Sequence, residues 1–213
     1  MSVLTLHGYW RSSAAYRVRI ALNLKGLAYG QVSHDLRHGE QRAPDYLAIA
    51  PHGLVPALET SAQILIQSPA ILEWIEARWP TPALLPTDPD AAAIVRSMAA
   101  IIGCDIHPLG NLRVLMALKA MGQDQATVDG WINRWIGEGF AGLEPLVARH
   151  GSGWCYGDGP TLADCYLVPQ IYNARRFGVD LSPYPALLAA DEAARALPAF
   201  ADARPEAQPD ADQ

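Results

Sequence analysis

Arg11-Ser12-Ser13-Ala14-Ala15-Tyr16-Arg17-Val18-Arg19-Ile20-Ala21-Leu22-Asn23-Leu24-Lys25-Gly26, or RSSAAYRVRIALNLKG, is the stretch on which the reading of this chain turns. Ahead of it, Val3-Leu4-Thr5-Leu6 is a short apolar run that reads as a strand. Ser12 and Ser13 are both good helix N-caps, because a hydroxyl oxygen accepts from the unpaired N–H groups of a first turn. Ala14, Ala15, Val18, Ala21, Leu22 and Lys25 recur at spacings of three and four, and Gly26 closes the helix as the residue after its C-cap. A strand feeding a helix whose first turn carries hydroxyls and free N–H groups is a ready place to hold an anion. Phosphate, carboxylate and thiolate all fit. Taken alone, the window favours simple capping, since Ser-capped helices are common.

The 213 residues provide for one large domain or two modest ones with a real core. Half the residues are apolar, as in an ordinary globular protein, and the formal net charge of −6 argues against a general affinity for nucleic acid or anionic membranes. No apolar run approaches a membrane span, and the opening MSVLTLHGYW lacks the basic segment and apolar core of a signal peptide. Cys104, Cys155 and Cys165 are odd in number and form no CxxC pair, which fits a reducing cytoplasm better than a disulfide framework or a zinc site. Of the six histidines only His34 and His38 stand at an HxxxH spacing, and none makes HExxH, so no metal is expected.

Beyond the first helix, 29–33 reads as a second strand, 37–42 as a polar loop and 45–50 as a helical turn stopped by Pro51. In Pro51–Glu59 the internal Pro56 argues for an edge strand or turn, unless the bond before it is cis. Residues 63–66 read as a strand, and Ser68 and Pro69 as the N-cap and first residue of a helix over 70–79. Four prolines between Pro80 and Pro89 mark a linker. Helices are then expected over 91–106, 111–121, 127–148, 161–177 and 185–197, with Thr161-Leu162-Ala163-Asp164 as a structural capping box. This gives an α/β domain over 1–82, a Pro-rich linker over 83–90, an all-α domain over 91–200, and a Pro/Ala/Asp tail over 201–213 whose composition predicts disorder.

The Ser-capped first helix, the Val55-Pro56 turn and the Gln67-Ser68 pair opening a later helix together resemble the glutathione transferase superfamily. That resemblance implies a thioredoxin-like N-terminal domain with a cis Val-Pro bond, then an all-α C-terminal domain. RSSAAYRVRIALNLKG is similar to the SSCxWRVRIAL signature of the zeta class, the maleylacetoacetate isomerases. LVPALE, LIQSPAILEWIE, PTPALLP, GCDIHPLGNLRVL and GDGPTLADCYLVPQ look still more like the bacterial maleylpyruvate isomerases of that class. The likeness covers nearly the whole chain up to the tail.

The resemblance implies a glutathione-dependent cis–trans isomerase of aromatic catabolism, cytoplasmic and homodimeric, acting on a small dicarboxylate keto acid. Gln67 and Ser68 match positions that hold the γ-glutamyl end of glutathione. Val55 matches the residue whose backbone pairs with its cysteinyl part, and Gln41 a contact near its glycine end. Ser12 matches the serine beside the sulfur, with Ser13 next to it; a hydroxyl donor and a helix N-terminus both favour thiolate over thiol. Where the zeta signature has Cys, this chain has Ala14, which costs isomerisation little because the nucleophile is glutathione's own sulfur. Tyr9 and Tyr16 are alternative donors to that sulfur, though neither stands at the family serine's place. Arg11, Arg113 and Arg176 match arginines expected to grip the substrate, whose carboxylates suit a planar guanidinium fork. Arg175 is the alternative to Arg176, about a hundred degrees away on a helix. His107, either a glutathione neighbour or a packed histidine before a proline, is joined by Asn111, Leu112 and Arg113 as further glutathione contacts. The implied chemistry is reversible thiolate addition to the double bond, rotation and elimination. Two rivals remain: a general transferase conjugating apolar electrophiles, and a non-catalytic binding protein on the same scaffold. Maleylpyruvate and maleylacetoacetate differ by a few atoms, worth only about 1–3 kcal/mol in a pocket. The His107/Arg113 pairing leans toward maleylpyruvate.

Overall fold

The computed structural model describes residues 4–212; Val3, read as part of the first strand, and Gln213 of the tail lie outside the described residues. The chain divides into two compact units, 1–84 together with 196–213, and 85–195.

The first unit is α/β. Strands β1 (Thr5–Gly8), β2 (Gly30–Ser33), β3 (Ala57–Glu59) and β4 (Ile64–Ile66) form one sheet in the order β2-β1-β3-β4. β1 runs parallel to β2, with Leu6 opposite Gln31, and antiparallel to β3, with Leu6 opposite Leu58; β3 and β4 are antiparallel. Helix α1 (Ser13–Leu24) connects β1 to β2, α2 (Pro44–Ile49) lies between β2 and β3, and α3 (Ser68–Arg78) follows β4, giving the thioredoxin-like order expected. Leu6, Val18, Ile20, Leu22, Leu58, Ile71, Leu72 and Ile75 are fully or almost fully buried, so sheet, α1 and α3 share one core. Cutting one of these side chains to Ala costs about 2–5 kcal/mol.

α1 ends as its sequence specifies. Gly26 takes φ +64°, its N–H donates to Asn23 O and the Leu27 N–H donates to Leu22 O, so the last carbonyls of the helix are paired. The Val55-Pro56 bond is cis, as the resemblance implied. Pro56 does not demote the strand after it. β3 begins at Ala57 and lies inside the sheet, with the proline just outside the hydrogen-bonded ladder.

Two expectations are corrected. Helix α3 starts one residue earlier than its Ser-Pro pair suggests, so Gln67 is the N-cap and Ser68 the first helical residue. The tail is not disordered. Helix α9 (Pro198–Ala201) leads into it, with Phe200 fully buried and Ala199 O accepting from Asn23; beyond the helix Ala203, Pro205 and Gln208 are buried, and a 3₁₀ turn spans Pro205–Ala207. Composition predicts disorder when too little apolar surface is available to bury; here Ala203 and Pro205 are buried, and hydrogen bonds from Gln208 and to Asp210 hold the segment.

The second unit is all helical: α4 (Pro89–Ala100), α5 (Leu112–Ala120), α6 (Gln125–His150), α7 (Leu162–Arg176) and α8 (Pro185–Arg195). α4 runs on into a π-helical segment, Ile101–Ile106. α6 packs so closely on that segment that a Cβ at Gly139 would sit 2.2 Å from Ile106 Cγ1. At the start of α7 the fully buried Asp164 accepts from the Thr161 N–H (2.7 Å), the Thr161 hydroxyl (2.8 Å) and the Cys155 N–H (2.9 Å). These bonds make it the structural cap expected. Among the described residues no helix is long and apolar enough to cross a membrane.

Candidate functional site

Two helix starts in the first unit carry the candidate polar residues. At α1, Ser12 has an extended backbone (φ −69°, ψ 116°), and its Oγ accepts from the Ala15 N–H at 3.3 Å. The Ser12 N–H donates to Tyr9 O at 2.9 Å, so residues 9–12 form a closed turn ahead of the helix. Capping and function are therefore compatible. The cap occupies an oxygen lone pair, and the hydroxyl proton remains available to a ligand. Ser13 follows as the first helical residue, half-buried, and Ala14 is turned into the packed face. Arg11 is half-buried, with its guanidinium 5.2 Å from the Trp10 ring centroid.

α3 starts differently. Gln67 is at φ +70°, ψ 113°, a region that non-glycine residues avoid at a cost of about 1–3 kcal/mol. No side chain caps the helix. Its first N–H groups are thus left for a ligand or solvent, at the end where the helix dipole favours negative charge. Directly below, the buried Arg17 donates from Nη1 to Ser68 Oγ at 3.4 Å, adding a positive charge that no sequence motif pointed to.

Val55 lies between them in sequence. Neither its N–H nor its C=O is used in a hydrogen bond among the described residues, so both are open to an extended peptide. The loop before it is steadied by the Tyr46 hydroxyl, which donates to Leu54 O at 2.7 Å. Burial pushes that phenol well above its ordinary range. His34 rests on the Tyr46 ring (centroids 4.1 Å apart), and its Nε2 lies 3.0 Å from His7 Nδ1; burial, then His7, holds the His34 imidazole below its usual pKa. Gln41, in the 3₁₀ turn Glu40–Arg42, has its Oε1 buried without a hydrogen-bond partner. A buried acceptor of this kind normally has a partner, and a bound peptide ligand would provide one. The alternative donors Tyr9 and Tyr16 are both buried, with Arg37 over the ring of Tyr9 and Arg19 over that of Tyr16, and the Tyr9 hydroxyl, like Gln41 Oε1, is buried without a hydrogen-bond partner.

In the second unit, Asn111 caps α5, its Oδ1 accepting from the Arg113 N–H at 3.1 Å. His107 closes the π-helical segment, its N–H donating to Ile102 O. Leu112 and Arg176 line one cavity of about 240 Å³, together with Leu115, Met116, Lys119 and Phe177. Arg113 is not among its lining residues. Of the two adjacent arginines, Arg175 is committed elsewhere, its Nη2 2.7 Å from Oδ2 of the fully buried Asp191. Arg176 faces the cavity, with its guanidinium over the Phe177 ring and Nη2 donating to Asn173 at 2.9 Å. Arg176, and not Arg175, thus lines this cavity.

The glutathione S-transferase N-terminal domain matches residues 2–77. The maleylpyruvate isomerase of Ralstonia sp. is 51% identical over 211 residues, spanning 97% of this chain and 99% of that protein. The chain belongs to the zeta-class glutathione transferase family of maleylpyruvate and maleylacetoacetate isomerases. Within this family, the holo structure of a bacterial maleylpyruvate isomerase of the zeta class superposes with a TM-score of 0.96 at 51% identity, covering 98% of this chain and all of that one. The maleylacetoacetate isomerase of Anaeromyxobacter dehalogenans 2CP-1, solved with glutathione in its active site, gives 0.92 at 46% identity and 99% coverage of both chains. The zeta fold thus accounts for both units, from β1 through α8.

Proposed function

We propose that this protein is a glutathione-dependent cis–trans isomerase that converts a maleyl keto acid, maleylpyruvate or maleylacetoacetate, to its fumaryl isomer. The observation that carries the reading is the Ser12 hydroxyl, which caps α1 through its oxygen and keeps its proton for a sulfur. Gln67, Ser68 and the uncapped first turn of α3 hold the γ-glutamyl carboxylate, with Arg17 beneath adding charge. Val55 pairs through its backbone with the cysteinyl part, and Gln41 brings its unpartnered oxygen to the glycine end. Ser13, His107, Asn111, Leu112 and Arg113 make further glutathione contacts. When bound, glutathione supplies a thiolate that adds reversibly to the substrate's double bond. Ser12 and the positive end of α1 keep that sulfur ionised, so more of it is in the reactive form at neutral pH. Arg11, Arg113 and Arg176 grip the carboxylates and stabilise negative charge that develops on the substrate's carbonyl oxygen. Charge fixed in place before the reaction lowers the barrier without reorganisation at the moment of reaction.

The same reading places the enzyme in the cytoplasm, in aromatic catabolism, as a homodimer. Three free cysteines support the reducing compartment, and the dimer rests on the family likeness. Following the ultraviolet signal of maleylpyruvate with glutathione at a small fraction of the substrate tests the isomerase reading. Complete conversion is expected, because glutathione is regenerated. Turnover that stops after one equivalent of glutathione contradicts it and favours a conjugating transferase. Comparing kcat/KM for maleylpyruvate and maleylacetoacetate then assigns the substrate.

A further inference from the structure

The peptide groups on either side of Trp10, immediately ahead of Arg11 and Ser12, are held by residues that the proposed chemistry does not use. The Trp10 N–H donates to Oδ2 of Asp210 at 3.0 Å. The Trp10 carbonyl accepts from Nη2 of Arg19 at 2.9 Å, and Arg19 Nε donates to Ala203 O, also at 2.9 Å. Both anchors thus lead to the C-terminal segment, roughly two hundred positions away along the chain. Arg19 is 1% exposed, and a guanidinium is buried only where acceptors are in place for it. Desolvation draws its pKa down to about 10, so it remains charged at neutral pH. Asp210 is itself fixed by the Ser33 hydroxyl at the end of β2. Gln208 ties the segment into a loop, donating to the carbonyls of Asp202 and Arg204 at 2.8 Å each and accepting from Gln31 at 3.1 Å. Arg37 bridges Asp35 and Asp212 at 2.6 and 2.5 Å.

We infer that Asp210 and Arg19 are positioning residues: the segment from Ala203 to Asp212 latches onto Trp10 and so fixes where the Ser12 hydroxyl and the Arg11 guanidinium stand. The inference rests on the reading that Ser12 serves the glutathione sulfur. Trp10 is the second residue of the closed Tyr9–Ser12 turn, so pinning its N–H and C=O sets the orientation of the whole turn. With the latch released, the turn is held by its own Tyr9–Ser12 bond and by α1, and Ser12 gains freedom of a fraction of an ångström or more. Misplacement on that scale costs an enzyme on the order of ten- to a hundredfold in rate.

Asp210 is only partly buried, so its replacement is compatible with folding. Asp210→Ala removes the acceptor, whereas Asp210→Asn keeps a carbonyl oxygen for the Trp10 N–H; a chain ending at Gln208 is the second variant. Three readouts are taken on the enzyme: kcat with maleylpyruvate together with KM for glutathione, the pH at which bound glutathione ionises by its thiolate absorbance, and amide exchange of residues 9–13. Asp210→Ala and the shortened chain are expected to lower kcat about tenfold, raise the ionisation pH and speed exchange, with little change in KM for glutathione. Asp210→Asn is expected to restore most of all three. Wild-type kcat and ionisation in Asp210→Ala overturn the inference, even where exchange is faster, because the latch is then structural alone. Ser12→Ala is run beside them. If it leaves the ionisation unchanged, the assignment of Ser12 fails and the latch's catalytic role with it; if it shifts the ionisation and Asp210→Ala does not, only the latch is wrong.

Discussion

The starts of α1 and α3 have similar sequences and different physics. Both place serine at the first turn after a strand, yet at α1 the serine satisfies the helix and at α3 it does not. Ser12 caps with its oxygen and offers a proton outward. Ser68 is buried, takes a hydrogen bond from Arg17, and leaves the N–H groups of its helix without a side-chain cap. One start presents a single directed donor, suited to stabilising a charge on sulfur. The other presents several backbone donors with a buried cation below, suited to a carboxylate. The strain at Gln67 accompanies the second arrangement and is absent from the first. A cap that satisfies a helix and a start that binds an anion draw on the same N–H groups, so each helix does mainly one of the two.

This division of labour has measurable consequences. Ser12→Ala is expected to lower kcat on the order of a hundredfold, the scale seen when one preorganised donor is removed. The thiol pKa in the complex is expected to rise. The loss is then greatest at low pH and shrinks as pH climbs past the variant's higher pKa, where the thiol ionises unaided. A pH–rate profile of wild type and variant checks both the size and the sign. Ser68→Ala is expected to raise KM for glutathione about tenfold, roughly 1.4 kcal/mol, with kcat at saturating glutathione nearly unchanged. Initial rates over a glutathione series separate these two effects.

Gln67→Ala and Gln67→Gly both remove the side chain from the α3 start and are expected to raise KM for glutathione by a similar factor. They are expected to differ in stability, with the glycine variant about 1 kcal/mol the more stable because a residue without Cβ accepts φ +70°. Urea unfolding of the pair gives that difference. Ala14→Cys, which installs the residue of the zeta signature, is expected to change isomerase kcat by no more than about twofold, since Ala14 is buried in the packed face of α1.

α1 is legible in the sequence because its signals are local: a serine cap, apolar residues at helical spacing and a glycine at φ +64° all lie within one short stretch. The start of α3 lies one residue away from its expected place because Ser-Pro is an ordinary cap-and-first-residue pair, and no sequence pattern announces a glutamine at positive φ. Arg17 and Arg19 look like the solvated charges of an amphipathic helix; they are buried because Ser68, Trp10 and Ala203 arrive from distant parts of the chain to accept from them. The tail departs from its expected disorder for the same reason. Its prolines, alanines and aspartates carry little local preference, and its order comes from partners on β2 and the Trp10 turn. Arg175 and Arg176 are indistinguishable in sequence until Asp191 of α8 claims the first.

The central claim is that Ser12 governs the state of the sulfur while Ser68 governs the hold on the peptide. The most direct test is the pH titration of thiolate absorbance in the glutathione complexes of wild type, Ser12→Ala and Ser68→Ala, each at saturating glutathione. The account predicts that wild type and Ser68→Ala ionise together, below free glutathione, and that Ser12→Ala ionises at distinctly higher pH. A shift in Ser68→Ala with none in Ser12→Ala would contradict it.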